Sequence, residues 1–316
     1  MSKGKFILLA GGGILLIIIL LFLVIKGVGP KPSNESISLQ FWGTFDDQSY
    51  YDQAISEYEA IHKNVSIEYT PISFVDYESG LINSFASQRG PDIFLIHNTW
   101  LPKFADKISP LPQNKPSKNE EPIMTYKYFK ENFVDVAVKD LTIGEDEVNR
   151  DIYAVPLYVD TLALFYNKDM FNTKGITLPP RTYQNLSDDV EKLTERDSRN
   201  RIVKSAIALG YSRNINRSTD ILMMFMLQAG VRMTNSDHTQ ATFAKDIDGV
   251  AVGENALEYY TQFAHDSVLD LFTWDATQHY SIDAFAQGET AMMLNYSHHI
   301  GTLRDRAPRL NFGVAP

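Results

Sequence analysis

The chain has 316 residues, 39 Asp and Glu against 29 Lys and Arg, and a formal net charge of -10. That balance excludes a broad basic surface for nucleic acid and disfavours a strongly anionic solute. Hydrophobic residues make up 44% and charged residues 22%, enough apolar material for one large or two smaller cores, and the absence of cysteine removes disulfides, thiolate metal sites, cysteine nucleophiles and a lipidated-cysteine anchor.

Phe6 to Ile25 reads FILLAGGGILLIIILLFLVI without a charge. At 1.5 Å per helical residue this run matches a hydrocarbon core about 30 Å thick, so a transmembrane anchor is expected. Lysines flank it on both sides (Lys3 and Lys5, then Lys26 and Lys31), and the free amino terminus adds charge to the first side. The expected layout is therefore a cytoplasmic tail at 1–5, a single-pass anchor in the cell membrane at 6–25, a linker at 26–37 carrying Pro30 and Pro32, and an extracytoplasmic remainder. A cleaved signal peptide is the alternative, but its apolar region is ordinarily shorter and followed by small residues.

Beyond the linker, Ser36 to Phe41 alternates as a strand does, and WGTFDD opens a loop. Tyr51, Ala54, Ile55, Tyr58 and Ile61 then recur at helical spacing, Val65 to Tyr69 predicts a second strand, and Tyr77, Leu81 and Phe85 mark a second helix. A Gly-Pro turn leads into a third strand at Ile93 to Ile96. This β-α-β-α-β order predicts a mostly parallel sheet covered by helices, with ligands beyond the carboxyl ends of the strands.

Residues Ser109 to Pro122 are proline-rich and predict a surface excursion. Tyr153 to Tyr166 is a long apolar run interrupted by Pro156 and Asp160, which predicts two strand segments meeting near Tyr158 to Thr161, a plausible hinge. Helical faces follow at Leu186, Val190 and Leu193 and at Leu257, Tyr260 and Phe263, with a buried helix at Ile221 to Ala229 and a helical turn at Ile282 to Ala286. Short strands are expected at Ala206 to Leu209 and Ala291 to Tyr296. The chain stops at Pro316 directly after the apolar run NFGVA, so truncation at the carboxyl end is expected.

Four stretches carry a family likeness: SLQFWGTFDD from Ser38, FASQRGPDIFLIHN from Phe85, YAVPLYVDTLALFYNKDMF from Tyr153, and AFAQGETAMMLNYSHH from Ala284. In this order they resemble the extracellular solute-binding proteins of ABC importers, in the branch that contains the maltose-binding proteins. The resemblance implies an α/β, two-lobed periplasmic-binding-protein-like fold (type II), here preceded by one transmembrane helix. It also implies a solute held in a cleft, a permease that recognises closure, and no catalysis. Lobe one is expected at 38–159 and lobe two at 160–316, both incomplete because the return crossing found in relatives is missing. Expected partners are a small solute, the permease subunits, and the membrane through the N-terminal helix, with no nucleic acid.

Candidate ligand-binding residues follow the strands. Thr44 and Asp46 lie after the first, where the family pattern places a solute-binding carboxylate; the competing role for Asp46 is a helix N-cap. Asn98 and Trp100 follow the third, an amide that both donates and accepts and an indole that can cover a pyranose face, unless Trp100 packs beneath its loop. Tyr158 and Asp160 stand at the crossover, where a carboxylate among apolar residues needs either ligand or a hinge hydrogen bond. Tyr296 and His298 match the position of an aromatic platform in relatives, and Trp274 sits in the polar segment FTWDATQHYS. Trp42 and Phe45 read as wall or packing residues. No histidine spacing indicates a metal site, and no cofactor is expected. Rival readings are a binding protein for a polyamine, peptide or other small polar solute, and a secreted glycoside hydrolase using Asp46 and Asp160.

Overall fold

The computed structural model describes residues 36–113, 124–144, 150–235 and 239–316. They fall into two compact units that meet in sequence between Leu157 and Tyr158.

In the first unit, β1 (Ile37–Gly43), β2 (Val65–Pro71) and β3 (Ile93–Phe94) form a three-stranded sheet in the order β2-β1-β3. Both pairings are parallel, so each connection needs a crossover, and helices Asp52–Ile61 and Phe74–Ala86 supply them. Tyr77, Leu81 and Phe104 are buried together beneath this sheet. The Tyr77 hydroxyl also joins the carboxyl ends of two strands: it donates to Trp42 O and accepts from Leu95 N–H, each at 2.9 Å. Further along, helices Tyr126–Asn132 and Asp135–Leu141 pack Tyr126, Phe129, Val138 and Leu141 around Ile152, on a small hairpin of β4 (Thr142–Ile143) and β5 (Asp151–Ile152).

The second unit holds the largest core. Its sheet runs β10-β6-β9-β8-β7, with β6 at Leu162–Asn167, β7 at Glu195–Arg196, β8 at Ile202–Ile207, β9 at Thr290–Tyr296 and β10 at Phe312–Ala315. Only β8 and β9 are parallel, and the other three pairings are antiparallel, so the parallel order expected from the first unit does not extend here. Central β9 is buried on both faces through Thr290 to Met293, which is why it reads as a continuous apolar run rather than an alternation.

Two expectations are corrected. The run Tyr153 to Tyr166 is not a pair of strands: β6 begins only at Leu162, and Val155, Leu157, Tyr158 and Val159 are exposed. Pro156 cannot donate to a ladder, and Asp160 draws the chain toward the end of β9 instead. The transmembrane helix, the membrane partner and the single-pass location in the cell membrane are not upheld. Among the described residues no helix is long and apolar enough to cross a membrane. The longest, Phe74–Ala86 with 13 residues, spans about 20 Å against a hydrocarbon core of about 30 Å. Phe6 to Ile25, on which the expectation rested, lie outside the described residues. The described residues accordingly form two α/β units, with no membrane helix among them.

Candidate functional site

In the second unit the chain turns sharply after β9, and Asp160, just before β6, fixes that turn. One carboxylate oxygen accepts from Thr161 N–H at 2.8 Å, Ser297 N–H at 3.0 Å and the Ser297 hydroxyl, while the other accepts from His298 Nδ1 at 2.6 Å. Burial pushes the Asp160 carboxyl up, but the hydrogen bonds from Ser297, His298 and Thr161 outweigh it and hold the group below its ordinary value. Both oxygens are thus committed to the protein. In this arrangement Asp160 positions the turn after β9. Because a carboxylate only accepts, Nδ1 of His298 carries a proton in this contact.

Tyr296 ends β9 beside this turn. Its ring lies nearly parallel to that of His298, with centroids 6.2 Å apart and planes 14° from parallel, and its hydroxyl donates to Asp220 Oδ2 at 3.1 Å. Burial and then the Asp220 carboxylate raise the phenol above its ordinary value, so it stays a neutral donor. The Arg217 guanidinium sits over the Tyr296 ring, 5.4 Å from its centroid, and approaches Asp220 at 4.0 Å. Arg217 has φ 60° and ψ 29° at the start of helix Ser218–Gln228, a left-handed conformation that costs a non-glycine residue free energy.

Behind this surface, Asn216 links two further groups. Its Oδ1 accepts from the Tyr280 hydroxyl at 3.1 Å, which turns Nδ2 toward His299 Nε2 at 3.3 Å. His299 Nδ1 then carries the proton, and it is buried with no hydrogen-bond partner among the described residues. Burial, with the nearby His298 and Arg217, pushes the His299 imidazole down to about 4. Arg217, Asp220, Asn216 and Tyr280 were not singled out in the sequence. The signal for them was slight: SRNINRSTD is a polar segment between a strand and an apolar helix, and only its position after β8 marks it.

In the first unit, Asp46 and Thr44 lie just beyond β1. Asp47, not Asp46, caps the following turn, its Oδ1 accepting from Ser49 N–H at 3.0 Å. Asp46 Oδ2 accepts from the Tyr51 hydroxyl at 2.8 Å, and Tyr69 donates to Asp46 O at 2.9 Å. Thr44 is buried, and its Oγ1 has no hydrogen-bond partner among the described residues. Asn98 is exposed and donates to Asp140 Oδ2 at 2.5 Å. Trp100 packs against Tyr77 and Phe104, with centroids at 6.5 and 6.1 Å, so its indole supports the loop rather than lying open. Tyr158 is 63% exposed in the segment ahead of β6.

Trp274 is corrected outright as a ligand platform. It is fully buried in the second unit's core, and its Nε1 donates to Asn214 Oδ1 at 2.9 Å. Its neighbours Asp275 and Gln278 are polar in sequence, yet their backbone carbonyls accept from Asn214 Nδ2 and tie the segment inward.

Polar groups beside an aromatic ring at the carboxyl end of β9 form a surface suited to a small polar solute. The chain belongs to the bacterial extracellular solute-binding protein family, which it matches over residues 42–315. It is 19% identical over 268 residues to a binding protein of Brucella abortus, covering 84% of this chain and 59% of that relative. Among solved structures it is similar to an ABC transporter solute-binding protein from Thermotoga lettingae bound with α-D-tagatose, with 22% identity, 89% and 68% coverage of the two chains and a TM-score of 0.61. It is likewise similar to an ABC substrate-binding protein from Listeria monocytogenes in complex with cycloalternan, with 19% identity, 89% and 66% coverage and a TM-score of 0.61. At these identities the likeness to solved structures is one of fold.

Proposed function

We propose that the protein binds a sugar or oligosaccharide and delivers it to an ABC permease for import. The observation that carries this reading is the surface around Tyr296: an aromatic ring bordered by a carboxylate at Asp220, a guanidinium at Arg217 and the imidazole of His298. A ring face suits the C–H face of a pyranose, while adjoining donors and acceptors suit hydroxyls, which are both. The tagatose and cycloalternan carried by similar proteins are of the same chemical class.

A polyamine is served less well, because both oxygens of Asp160 are already engaged and the Arg217 cation faces the platform. Hydrolysis is served less well again. A general acid needs a raised pKa, and Asp160 is held below the ordinary value. Calorimetric titration of the full chain with mono- and oligosaccharides, polyamines and peptides tests the proposal. Saturable binding of a saccharide is expected, without release of reducing sugar on prolonged incubation. Binding confined to polyamines or peptides would overturn the carbohydrate assignment.

A further inference from the structure

Phe45 is held in a conformation and an environment that are both unfavourable for it. Its φ of 72° lies in the left-handed region, where a residue with a bulky side chain is strained. Its side chain is 73% exposed, so burial does not compensate. The ring instead stacks on Phe74, the first residue of helix Phe74–Ala86, with centroids 5.0 Å apart and planes 29° from parallel. Phe74 is itself 52% exposed and the following Val75 86%. Two elements that leave the carboxyl ends of β1 and β2 thus bring two apolar rings together at the surface.

An adjacent polar group gives this shelf a direction. Asp46, immediately after Phe45, presents a half-buried carboxylate whose Oδ2 accepts from the Tyr51 hydroxyl at 2.8 Å. Apolar ring faces flanked by a carboxylate match the two sides of a sugar unit, its C–H face and its hydroxyl edge.

We infer that Phe45 and Phe74 form a second carbohydrate platform, which takes the C–H face of a sugar unit and makes both phenylalanines specificity-determining residues. The inference rests on the carbohydrate reading above and adds two residues to it. Phenylalanine offers no polar handle, so this platform rewards pyranoses with an uninterrupted C–H face and discriminates against those with axial hydroxyls on that side.

The test uses the full chain and whichever saccharide of the panel binds the unsubstituted protein most tightly. Phe45→Gly removes the ring and relieves the positive φ, so it separates binding from stability. A thermal midpoint equal to or above that of the parent is expected, together with a loss of affinity of roughly three- to tenfold. Phe74→Ala is expected to weaken binding to the same extent, and Phe45→Tyr, which keeps the ring, to retain it. Parental affinity in either truncation would overturn the inference while leaving the carbohydrate reading intact. A lowered midpoint in Phe45→Gly would also overturn it, since the ring would then belong to the packing. If the parent bound no saccharide at all, the carbohydrate reading and the platform would fall together.

Discussion

Replacing Trp274 separates a core role from a ligand-facing one. The indole is fully buried and its Nε1 donates to Asn214 Oδ1 at 2.9 Å, while the Asn214 amide holds the carbonyls of Asp275 and Gln278. Trp274→Ala removes a large buried side chain, a change that costs about 3–5 kcal/mol through lost burial and residual cavity. Trp274→Phe keeps most of that volume and chiefly strands Asn214 Oδ1, at about 1–3 kcal/mol. At about 2–4 °C per kcal/mol for a domain of this size, the phenylalanine variant should melt roughly 2–12 °C below the parent. The alanine variant should melt lower still. Thermal unfolding followed by circular dichroism, paired with a titration of the phenylalanine variant at a temperature where it is folded, reads both quantities. The account predicts a depressed midpoint and near-parental affinity for Trp274→Phe. An unchanged midpoint with lost affinity would refute it and return the indole to the solute.

Three further outcomes are expected. Asp160→Asn should destabilise the protein by about 1.5–3 kcal/mol near neutral pH, since a neutral amide cannot replace the charge-assisted contacts to Ser297 and His298. Because the folded pKa of Asp160 lies below its unfolded value, its contribution is present above about pH 4 and lost as pH falls through the folded pKa. The gap between parent and variant in an acid titration of unfolding should therefore close at low pH; a constant gap would show that charge is not the cause. His299 behaves in the same direction for a different reason: burial keeps it neutral, with a folded pKa of about 4 against about 6.5 unfolded. Its contribution is full above about pH 6.5 and is lost as pH falls toward 4, so His299→Gln should flatten the stability profile across that window, and an unchanged slope would contradict the assignment. Gly43→Ala drives a Cβ into the Tyr69 hydroxyl, which donates to Asp46 O. A cost of about 1–3 kcal/mol is expected together with weakened solute binding, and a variant with parental midpoint and affinity would show that Tyr69 moves aside freely.

The first unit was largely legible in the sequence because its elements are regular. The alternation at Ser36 to Phe41 and the helical spacing at Tyr77, Leu81 and Phe85 became β1 and helix Phe74–Ala86 with small changes at the ends. The family likeness came from the short stretches that line the strand ends, and the match over 42–315 rests on the same part of the chain. Burial of single side chains was not legible. Trp274 sits among polar residues in sequence, yet the backbone carbonyls of those residues anchor Asn214 and enclose the indole. Asp160 was legible as a charge that needs a partner, but its partners Ser297 and His298 lie 137 and 138 residues away and meet it only because β6 and β9 pair. Arg217 and Phe45 were missed or set aside for a related reason. Positive φ at a non-glycine residue leaves no trace in composition or periodicity.

The measurement that bears most directly on the function is calorimetric titration of saccharides into the full chain and into Tyr296→Ala. Tyr296 carries the platform, and its loss also removes the hydroxyl bound to Asp220 and the ring beneath Arg217. The account predicts saturable binding of at least one saccharide by the parent, and at least about a tenfold weaker dissociation constant in the variant with its fold retained. A parent that binds no saccharide, or a folded Tyr296→Ala with parental affinity, would contradict it.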